Sequence, residues 1–439
     1  MGLLQSTLWY KRAGDWCGVI FLVAGLLIAL PMVSVAYNDL STQSIESNHF
    51  NTRPALYVDC QMCDYNYIRQ EISFVNFARD QEQADIHLFI TAESTGGGGR
   101  EYELTFMGRR DFSDMNYEYV HQTGRNMTAD EIRESLNKAI RMGLAPFMMK
   151  TPLASRFELM YDEPAEDFED AHDIDDPWNN WVFEVYVGRL QLNQESRQSN
   201  FDSRWGFIAD HITHDWKVRF RPYFNYHYTE IDQEDDDTII SRRHRHGLTT
   251  RAIRSLTDHW SAGLFGNYLT RNDRNLKHQM EIAPGVEYSL FPYDEATRRA
   301  VTMTYRIGYT YNDYYDLTIF DQTEDQLANQ RLQLRAQYTQ PWGNVNAGIT
   351  GSHYFHDTTL RRLSTFARIS VRLAEGLSLN LQGDYDVVQD QLTLRAGDLA
   401  LEDIIVAQQE LATDYSFRVL VAISYTFGSS FANIVNTRF

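Results

Sequence analysis

The sequence predicts a small α+β domain followed by a transmembrane antiparallel β-barrel of about 12 strands. Polar and apolar residues alternate through the C-terminal half, as in "YSFRVLVAISYTF" at 415–427, so each strand has one apolar and one polar face. The alternating runs often exceed ten residues, whereas strands of soluble proteins usually have about 5–6. Short and long connections also alternate, which is typical of barrels in the outer membrane of Gram-negative bacteria.

The composition excludes some classes of protein. The chain has 439 residues and a formal net charge of -20, which argues against a nucleic-acid partner because such a partner requires a basic surface. Its 3 cysteines are too few for a scaffold held by disulfides.

The N-terminus has the pattern of a secretory signal peptide. Lys11 and Arg12 precede an apolar run at 17–30, and small residues follow at Ser34 and Ala36. The run is shorter than the roughly 20 residues of a transmembrane helix, so cleavage after Ala36 is favoured over an uncleaved anchor. We therefore predict a signal peptide at 1–36, a linker at 37–54 and an exported mature chain.

Residues 55–160 are predicted to form a two-layer α/β domain. The predicted elements are a strand at 55–59, a helix at 64–80, strands at 84–92, 100–110 and 115–123, and a helix after Thr128. Thr128 and Glu131 have the spacing of a capping box, which marks the start of that last helix.

The stretch "QEQADIHLFITAE…YELTFMGRRD…TADEIRESLNKAI" resembles periplasmic domains of the TolB N-terminal and CsgG-like kind. The resemblance covers about a hundred residues and carries no catalytic signature. It implies a domain that binds a periplasmic protein or the cell wall.

Two short segments are candidates for a redox-active or ion-binding site. Cys60 and Cys63 lie between a predicted strand and a predicted helix, where a disulfide or an inert pair is favoured over redox catalysis because the surrounding thioredoxin-like organisation is missing. A zinc site would need two more ligands, so no metal is predicted. Residues 161–177 crowd carboxylates around His172, and a solvated linker is favoured over a calcium site because the EF-hand spacing is missing.

Residues 178–427 are predicted to form the barrel, and residues 428–439 a C-terminal tail. The predicted strands lie near 180–192, 203–212, 216–230, 239–254, 259–271, 276–291, 298–313, 326–340, 343–356, 360–374, 377–392 and 412–427. We expect the last strand to pair with the first, because an open edge would leave unpaired backbone groups in lipid. This half resembles outer-membrane β-barrel families of uncharacterised function.

The polar positions of these strands are predicted to line the barrel interior. The candidates are Arg219, Arg221, Arg306, Arg331, Arg335, Arg362, Arg368, Arg372, Arg418, Glu281, Glu287, Asp384 and Asp386. They could line a narrow water-filled path that favours anions, or form a network of ion pairs without conduction. The sequence leaves both interpretations open.

The favoured function is a narrow channel or transport component of the outer membrane, with its N-terminal domain in the periplasm docking a partner. The alternative is a non-conducting barrel that anchors this domain. A lipid-modifying enzyme is disfavoured because neither a Ser/His/Asn set nor paired catalytic carboxylates stand in a recognisable setting. We expect no enzymatic activity and no cofactor. The expected partners are outer-membrane lipids, lipopolysaccharide and, during biogenesis, the barrel-assembly machinery.

Overall fold

The computed structural model describes residues 53–158, 176–232, 238–397 and 413–428. The predicted signal peptide, nearly all of the acidic linker and nearly all of the C-terminal tail lie outside the described residues. Within the described part of the chain, no helix is both long and apolar enough to cross a membrane.

The first part of the structure is an α/β domain. Its elements are β1 (Ala55–Cys60), α1 (Tyr65–Glu71), β2 (Asn76–Phe77), β3 (Ile86–Ser94), β4 (Arg100–Gly108), β5 (Asn116–Thr123) and α2 (Ala129–Met149). The sheet order is β2-β1-β3-β4-β5. Strand β1 runs parallel to β2 and β3, and β3, β4 and β5 are antiparallel.

The core of this domain lies between one face of the sheet and the helices. Leu88, Leu104 and Phe106 from the sheet are fully buried, as are Ile140 and Leu144 from α2. The predicted capping box at the start of α2 is confirmed, with the Thr128 side chain and the Glu131 carboxylate each accepting from the other residue's backbone. The helices cover only this face, so the opposite face of the sheet is left for another contact.

The predicted helix at 64–80 is wrong beyond Glu71. The helix ends at Glu71 with Ile72 as its C-cap residue, and Asn76 and Phe77 form a short strand parallel to β1. This strand supplies hydrogen bonds to an edge of β1 that would otherwise lack them. Ile72 and Val75 are buried all the same. The apolar spacing therefore identified the buried side chains but not the backbone that carries them.

The second part is a twelve-stranded antiparallel sheet in which each strand pairs with the next. The strands are β6 (Trp181–Gln194), β7 (Gln198–Ile212), β8 (Trp216–Asp232), β9 (Thr238–Ser255), β10 (Trp260–Arg271), β11 (Leu276–Ser289), β12 (Arg299–Tyr314), β13 (Glu324–Gln340), β14 (Gly343–Tyr354), β15 (Arg361–Ala374), β16 (Leu377–Val388) and β17 (Tyr415–Tyr425). All twelve predicted runs are strands, with ends that differ from the prediction by a few residues.

The sheet curves into a barrel wall with an apolar outer face. On β11, Met280, Ile282 and Val286 are exposed on one face, while Glu281 and Glu287 lie on the other. Arg331 on β13 lies 3.8 Å from Glu281 on β11, two strands away, across the concave face of the sheet. The polar residues therefore face the interior.

The predicted pairing between the last and first strands is not formed. Within the described residues, β6 pairs only with β7, and β17 pairs only with β16. Alternation of polar and apolar residues fixes the two faces of a strand but not its neighbour, and no tight turn joins these two strands to set their register. They are the two edge strands of the twelve-stranded sheet in the described part of the chain.

Candidate functional site

The open face of the small sheet lies against one end of the barrel. This docking face consists of Asp59, Phe89, Thr105 and Glu118, which are direct cross-strand neighbours on β1, β3, β4 and β5, together with Glu103. The barrel end that it meets carries the turns between β7 and β8, β11 and β12, and β15 and β16, and we call it the short-turn end.

Arg298 makes the first contact. It lies in the connection between β11 and β12, and its guanidinium donates to Glu103, Glu118 and the hydroxyl of Thr105. The neighbouring Thr297 also donates to Glu103, at 3.1 Å. The connection at 290–298 is longer than a tight turn requires, and the extra residues supply these contacts.

Arg372 makes the second contact. Its two terminal nitrogens donate to the two carboxylate oxygens of Asp59, at 2.9 and 3.0 Å, and one of them also donates to the carbonyl of Pro341. The sequence placed Arg372 in the lumen lining, and its register does lie on the inward row. Its side chain lies at the short-turn end of the barrel, where it binds the small domain. A role for Arg372 in lining a water-filled path stays a prediction.

Other contacts extend around the rim of the barrel. The backbone N–H of Gly376 donates to Asp80 at 3.2 Å, and Arg125 pairs with Glu184 on β6. The contact points therefore include the first strand as well as the β15–β16 turn. A domain held at such separated points lies across the short-turn end of the barrel.

The hairpin tip between β3 and β4 lies at the same end, next to β7 and β8. The position of a Cβ on Gly96 would be 3.0 Å from the side chain of Ile212, the last residue of β7. Burial raises the pKa of Glu93, and the nearby Lys217 opposes this rise. A domain carboxylate thus lies near a lysine that faces the barrel interior.

His87 and Asp59 form a buried polar cluster beneath Arg372. The His87 side chain is fully buried, and its Nε2 lies 3.6 Å from a carboxylate oxygen of Asp59. Burial disfavours the charged carboxylate, but His87 and Arg372 outweigh it and hold the pKa of Asp59 below its usual range. Burial also lowers the pKa of His87 more than Asp59 raises it, so the imidazole is neutral at physiological pH.

The register places the other predicted lumen residues on the inward rows of the wall. Several form ion pairs there: Arg221 with Asp210, Arg331 with Glu281 at 3.8 Å, Arg368 with Asp384 at 2.6 Å, and Arg362 with Asp390 at 2.7 Å. Arg219 also reaches Asp210 at 3.5 Å. Arg335 binds Asn346 and Gln337, Arg418 lies directly opposite Asp384, and Ser416 donates to Asp386. Glu287 accepts from Thr304 and Tyr293.

Side chains of β10 and β12 pack together on the interior face of the wall. The guanidinium of Arg306 lies 3.6 Å from the centre of the Phe265 ring, and Arg331 is its direct neighbour on β13. The cavity that these side chains leave has a volume of about 10 Å³. These side chains therefore leave little space between them on the polar face of the wall.

Sequence reasoning missed a set of interior arginines near the other end. Arg189, Arg204, Arg245 and Arg271 line a cavity of about 640 Å³ together with Asn225. The basic run at 242–246 is visible in the sequence, but its alternation alone does not show which strands bring these residues together. Only the register of five strands shows that these residues meet.

The connections at this other end are joined to one another. Thr318, after β12, forms an isolated bridge with Arg395, after β16. Arg395 also donates to the carbonyl of Asn272, between β10 and β11. These contacts hold three connections together over the end of the barrel that is remote from the small domain.

Cys60 and Cys63 form a disulfide, with their Cα atoms 5.7 Å apart. Cys60 is buried at the end of β1, and the Tyr65 hydroxyl donates to its carbonyl. The bridge secures the turn between β1 and α1. No group of three or more metal-ligating side chains that could hold an ion occurs among the described residues.

Twelve long antiparallel strands with an apolar outer face define an outer-membrane β-barrel protein, here combined with a small α/β domain. The sequence matches neither a family model nor a curated protein.

Solved structures with a similar fold include the NanC porin, a bacterial polysaccharide outer membrane secretin and the beta domain of the Bordetella autotransporter BrkA. Identities are 9%, 7% and 11%, and TM-scores are 0.25, 0.27 and 0.23. Each covers 56% of this chain, and 99%, 90% and 98% of the respective structure. These TM-scores are low, and the class rests on this chain's own strands and faces.

Proposed function

We propose that the protein is an anion-favouring passage through the outer membrane that its own α/β domain closes at rest, with the domain on the periplasmic side. The observation that carries this proposal is the basic interior of a chain whose net charge is -20. Apart from Arg372, the basic residues on the inward rows are Arg189, Arg204, Lys217, Arg219, Arg221, Arg243, Arg245, Arg251, Arg271, Arg306, Arg331, Arg335, Arg362, Arg368 and Arg418.

Among the described residues, the same rows carry fewer acidic side chains than basic ones. The acidic ones are Glu184, Asp202, Asp210, Glu281, Glu287, Asp325, Asp384 and Asp386. Arginine keeps its charge at every physiological pH, so the interior has a positive potential that favours anions and repels cations. The negative net charge of the whole chain therefore comes from acidic residues outside these inward rows.

The docked domain supports the closed resting state. Arg298 and Arg372 bind four groups on the docking face, and both arginines are at least half-buried there. Ion pairs across such a contact can be separated without unfolding either partner. A periplasmic protein or cell-wall component that competes for the docking face would therefore free the short-turn end.

A second candidate is a barrel that never conducts and only anchors the domain. The observation that favours it is the close packing of interior side chains, where Arg306 stacks on Phe265. In this case the interior arginines would serve only to bind the acidic side chains opposite them.

Conductance of the full chain in planar bilayers separates the two candidates. We expect wild type to be mostly silent, and the double variant Asp59→Asn, Glu103→Gln to open with a reversal potential that shows anion selectivity in a KCl gradient. The matched control is Glu71→Gln, which breaks an exposed pair with Arg141 on the helical side of the domain.

Cation selectivity of the open variant would contradict the proposal, as would a wild-type conductance that undocking leaves unchanged. Silence of both proteins across salts and voltages would favour the non-conducting anchor.

A further inference from the structure

We infer that the interior wall near the end remote from the domain carries a binding site for a linear anion with two or more phosphate or carboxylate groups. The inference rests on the proposed function, since it names the kind of solute that the interior would hold. It is carried by one geometric feature, a row of arginines that crosses five adjacent strands.

The row follows from the register of β6 to β10. Arg189 lies directly opposite Arg204, which lies opposite Asn225, and Asn225 lies opposite Arg245. Arg245 in turn lies opposite Arg271. Neighbouring strands are about 4.8 Å apart, so the row is roughly 19 Å long and displays its positive charges at intervals of one or two strands.

Most of this charge has no counter-ion among the residues that the structure describes. Asp273 binds Arg271, with 2.8 Å between the Arg271 Nε and a carboxylate oxygen. Within the described residues, no carboxylate lies within ion-pair distance of Arg189, Arg204 or Arg245. Like charges directly opposite one another destabilise a sheet. A bound anion would remove this repulsion, and the row of single charges matches an anion whose charges are also in a row.

Beside the arginine row, two tyrosine rings lie flat on the wall and leave space in the interior. Tyr186 lies over Gly206 and Tyr223 lies over Gly247, where a Cβ would be only 2.6 Å from each tyrosine hydroxyl. The two rings therefore lie against the wall instead of standing into the interior. The Arg245 guanidinium is 5.8 Å from the Tyr223 ring centre. This arrangement offers flat aromatic surfaces next to the charged row.

The other side of the row is polar. Asp202 and His227 are direct cross-strand neighbours, and His227 Nδ1 lies 2.6 Å from the carboxylate of Asp202. Arg243 lies beside His227 and has a buried Nε without a hydrogen-bond partner. The cavity enclosed by these side chains has a volume of about 640 Å³, enough for several phosphate- or sugar-sized groups.

The hydrogen-bonding geometry of arginine indicates which class of ligand the site would bind. Arginine binds phosphate and carboxylate oxygens with two parallel hydrogen bonds, which a halide cannot accept. A single phosphate would engage one or two arginines, whereas a chain of such groups would engage the whole row. The site should therefore prefer linear oligoanions over inorganic phosphate, and should ignore neutral chains of the same length.

Isothermal titration of the full chain in detergent tests the site without any measurement of conductance. The probes are tripolyphosphate, a short oligogalacturonate, inorganic phosphate and a neutral maltooligosaccharide. We expect one or both oligoanions to bind at least tenfold more tightly than inorganic phosphate, and the neutral chain not to bind. Preference for tripolyphosphate would define a phosphate ligand, and preference for oligogalacturonate a carboxylate ligand.

Single substitutions of interior arginines test where the oligoanion binds. Arg204→Ala and Arg245→Ala should each weaken oligoanion binding about tenfold or more, whereas Arg335→Ala should not, because it removes an interior arginine toward the short-turn end of β13. Equal binding of all anions, or equal weakening by all three variants, would overturn the inference and leave only general charge attraction. Binding with these properties in a protein that never conducts would preserve the site and reject the proposed passage.

Discussion

Arg372, at the end of β15, holds Asp59 of the small domain through two hydrogen bonds of 2.9 and 3.0 Å. The same guanidinium lies 5.1 Å from the centre of the Tyr57 ring. One side chain thus connects the barrel wall to a carboxylate and to an aromatic ring of the docking face. Because Asp59 also lies 3.6 Å from His87 Nε2, the domain's buried polar cluster and its docking contact share a residue.

Replacing Arg372 should loosen the domain from the barrel. Arg372→Ala leaves Asp59 mostly buried without its cation, and we expect a cost of about 2 kcal/mol, between the values for exposed and fully buried pairs. The rate at which a protease cleaves the domain from folded full-length protein in detergent would report the change. Arg372→Lys should recover only part of the loss, because an amine cannot make the two parallel bonds.

The matched control for Arg372→Ala is Arg141→Ala. It removes an arginine that pairs with Glu71 on the helical side, away from the barrel. If both variants were cleaved at the wild-type rate, the Arg372–Asp59 pair would contribute nothing to docking.

The domain should become less stable as the pH falls below about 6.5. The pKa of His87 is held below its ordinary value of 6.5, so the unfolded chain binds a proton that the folded domain rejects. Stability is complete above pH 6.5 and declines as the pH falls toward the folded pKa, by up to about 1.4 kcal/mol per pH unit. The pKa of Asp59 is held below 3.8, so this carboxylate stays charged throughout that window.

Denaturant unfolding of the domain between pH 7.5 and pH 5 would measure this slope. His121 contributes in the same direction, because burial lowers its pKa as well. His87→Gln should therefore reduce the slope, and adding His121→Gln should reduce it further. An unchanged slope in the double variant would show that neither imidazole is responsible.

Much of the fold could be predicted because the relevant signals are local. A strand with one face in lipid and one in a polar interior must alternate, and all twelve strands were found from this pattern. The segment 64–80 was mistaken for one helix because a helical turn and a following strand can bury residues at similar spacing. The strand is distinguished from a longer helix by the pairing of Asn76 with Ala55, and these two residues are far apart in the sequence.

The candidate site was harder to predict because it depends on register. Nothing near Arg204 indicates that it shares a row with Arg245, since two strand pairings decide this. Arg372 was placed correctly on an inward row, but the pattern contains no information about a second domain at the end of its strand. The alternation likewise contains no information on whether β6 pairs with β17, which it does not do within the described residues.

Gly143 on α2 should be needed for packing of the domain core. A Cβ at this position would be 2.0 Å from the ring of Phe106, which is fully buried and stacked on Tyr117. Gly143→Ala gains about 1 kcal/mol in helix propensity, but the forced displacement of the ring costs more, and we expect a net loss of about 2 kcal/mol. Unfolding of the domain by denaturant would measure this loss of stability.

Adding Phe106→Leu should restore part of the loss. The control is Gly97→Ala, which should be neutral because a Cβ at Gly97 would meet no atom within 4 Å.

An arginine on the outer face should hinder insertion into lipid, and one on the inner face should not. Ile307, in the middle of β12, is exposed on the apolar face, whereas Thr350 on β14 lies on the polar face between Gln333 and Ser364. Ile307→Arg should cost about 2–4 kcal/mol at the membrane midplane, because lipid tails cannot solvate the charge. Thr350→Arg should fold like wild type, because water and polar side chains surround it.

Refolding into lipid vesicles, followed by the mobility shift of unheated barrels in gels, would compare the two variants. If the first variant folded normally and the second failed, the two faces of the wall would have to be exchanged, and the arginine row would then point toward lipid.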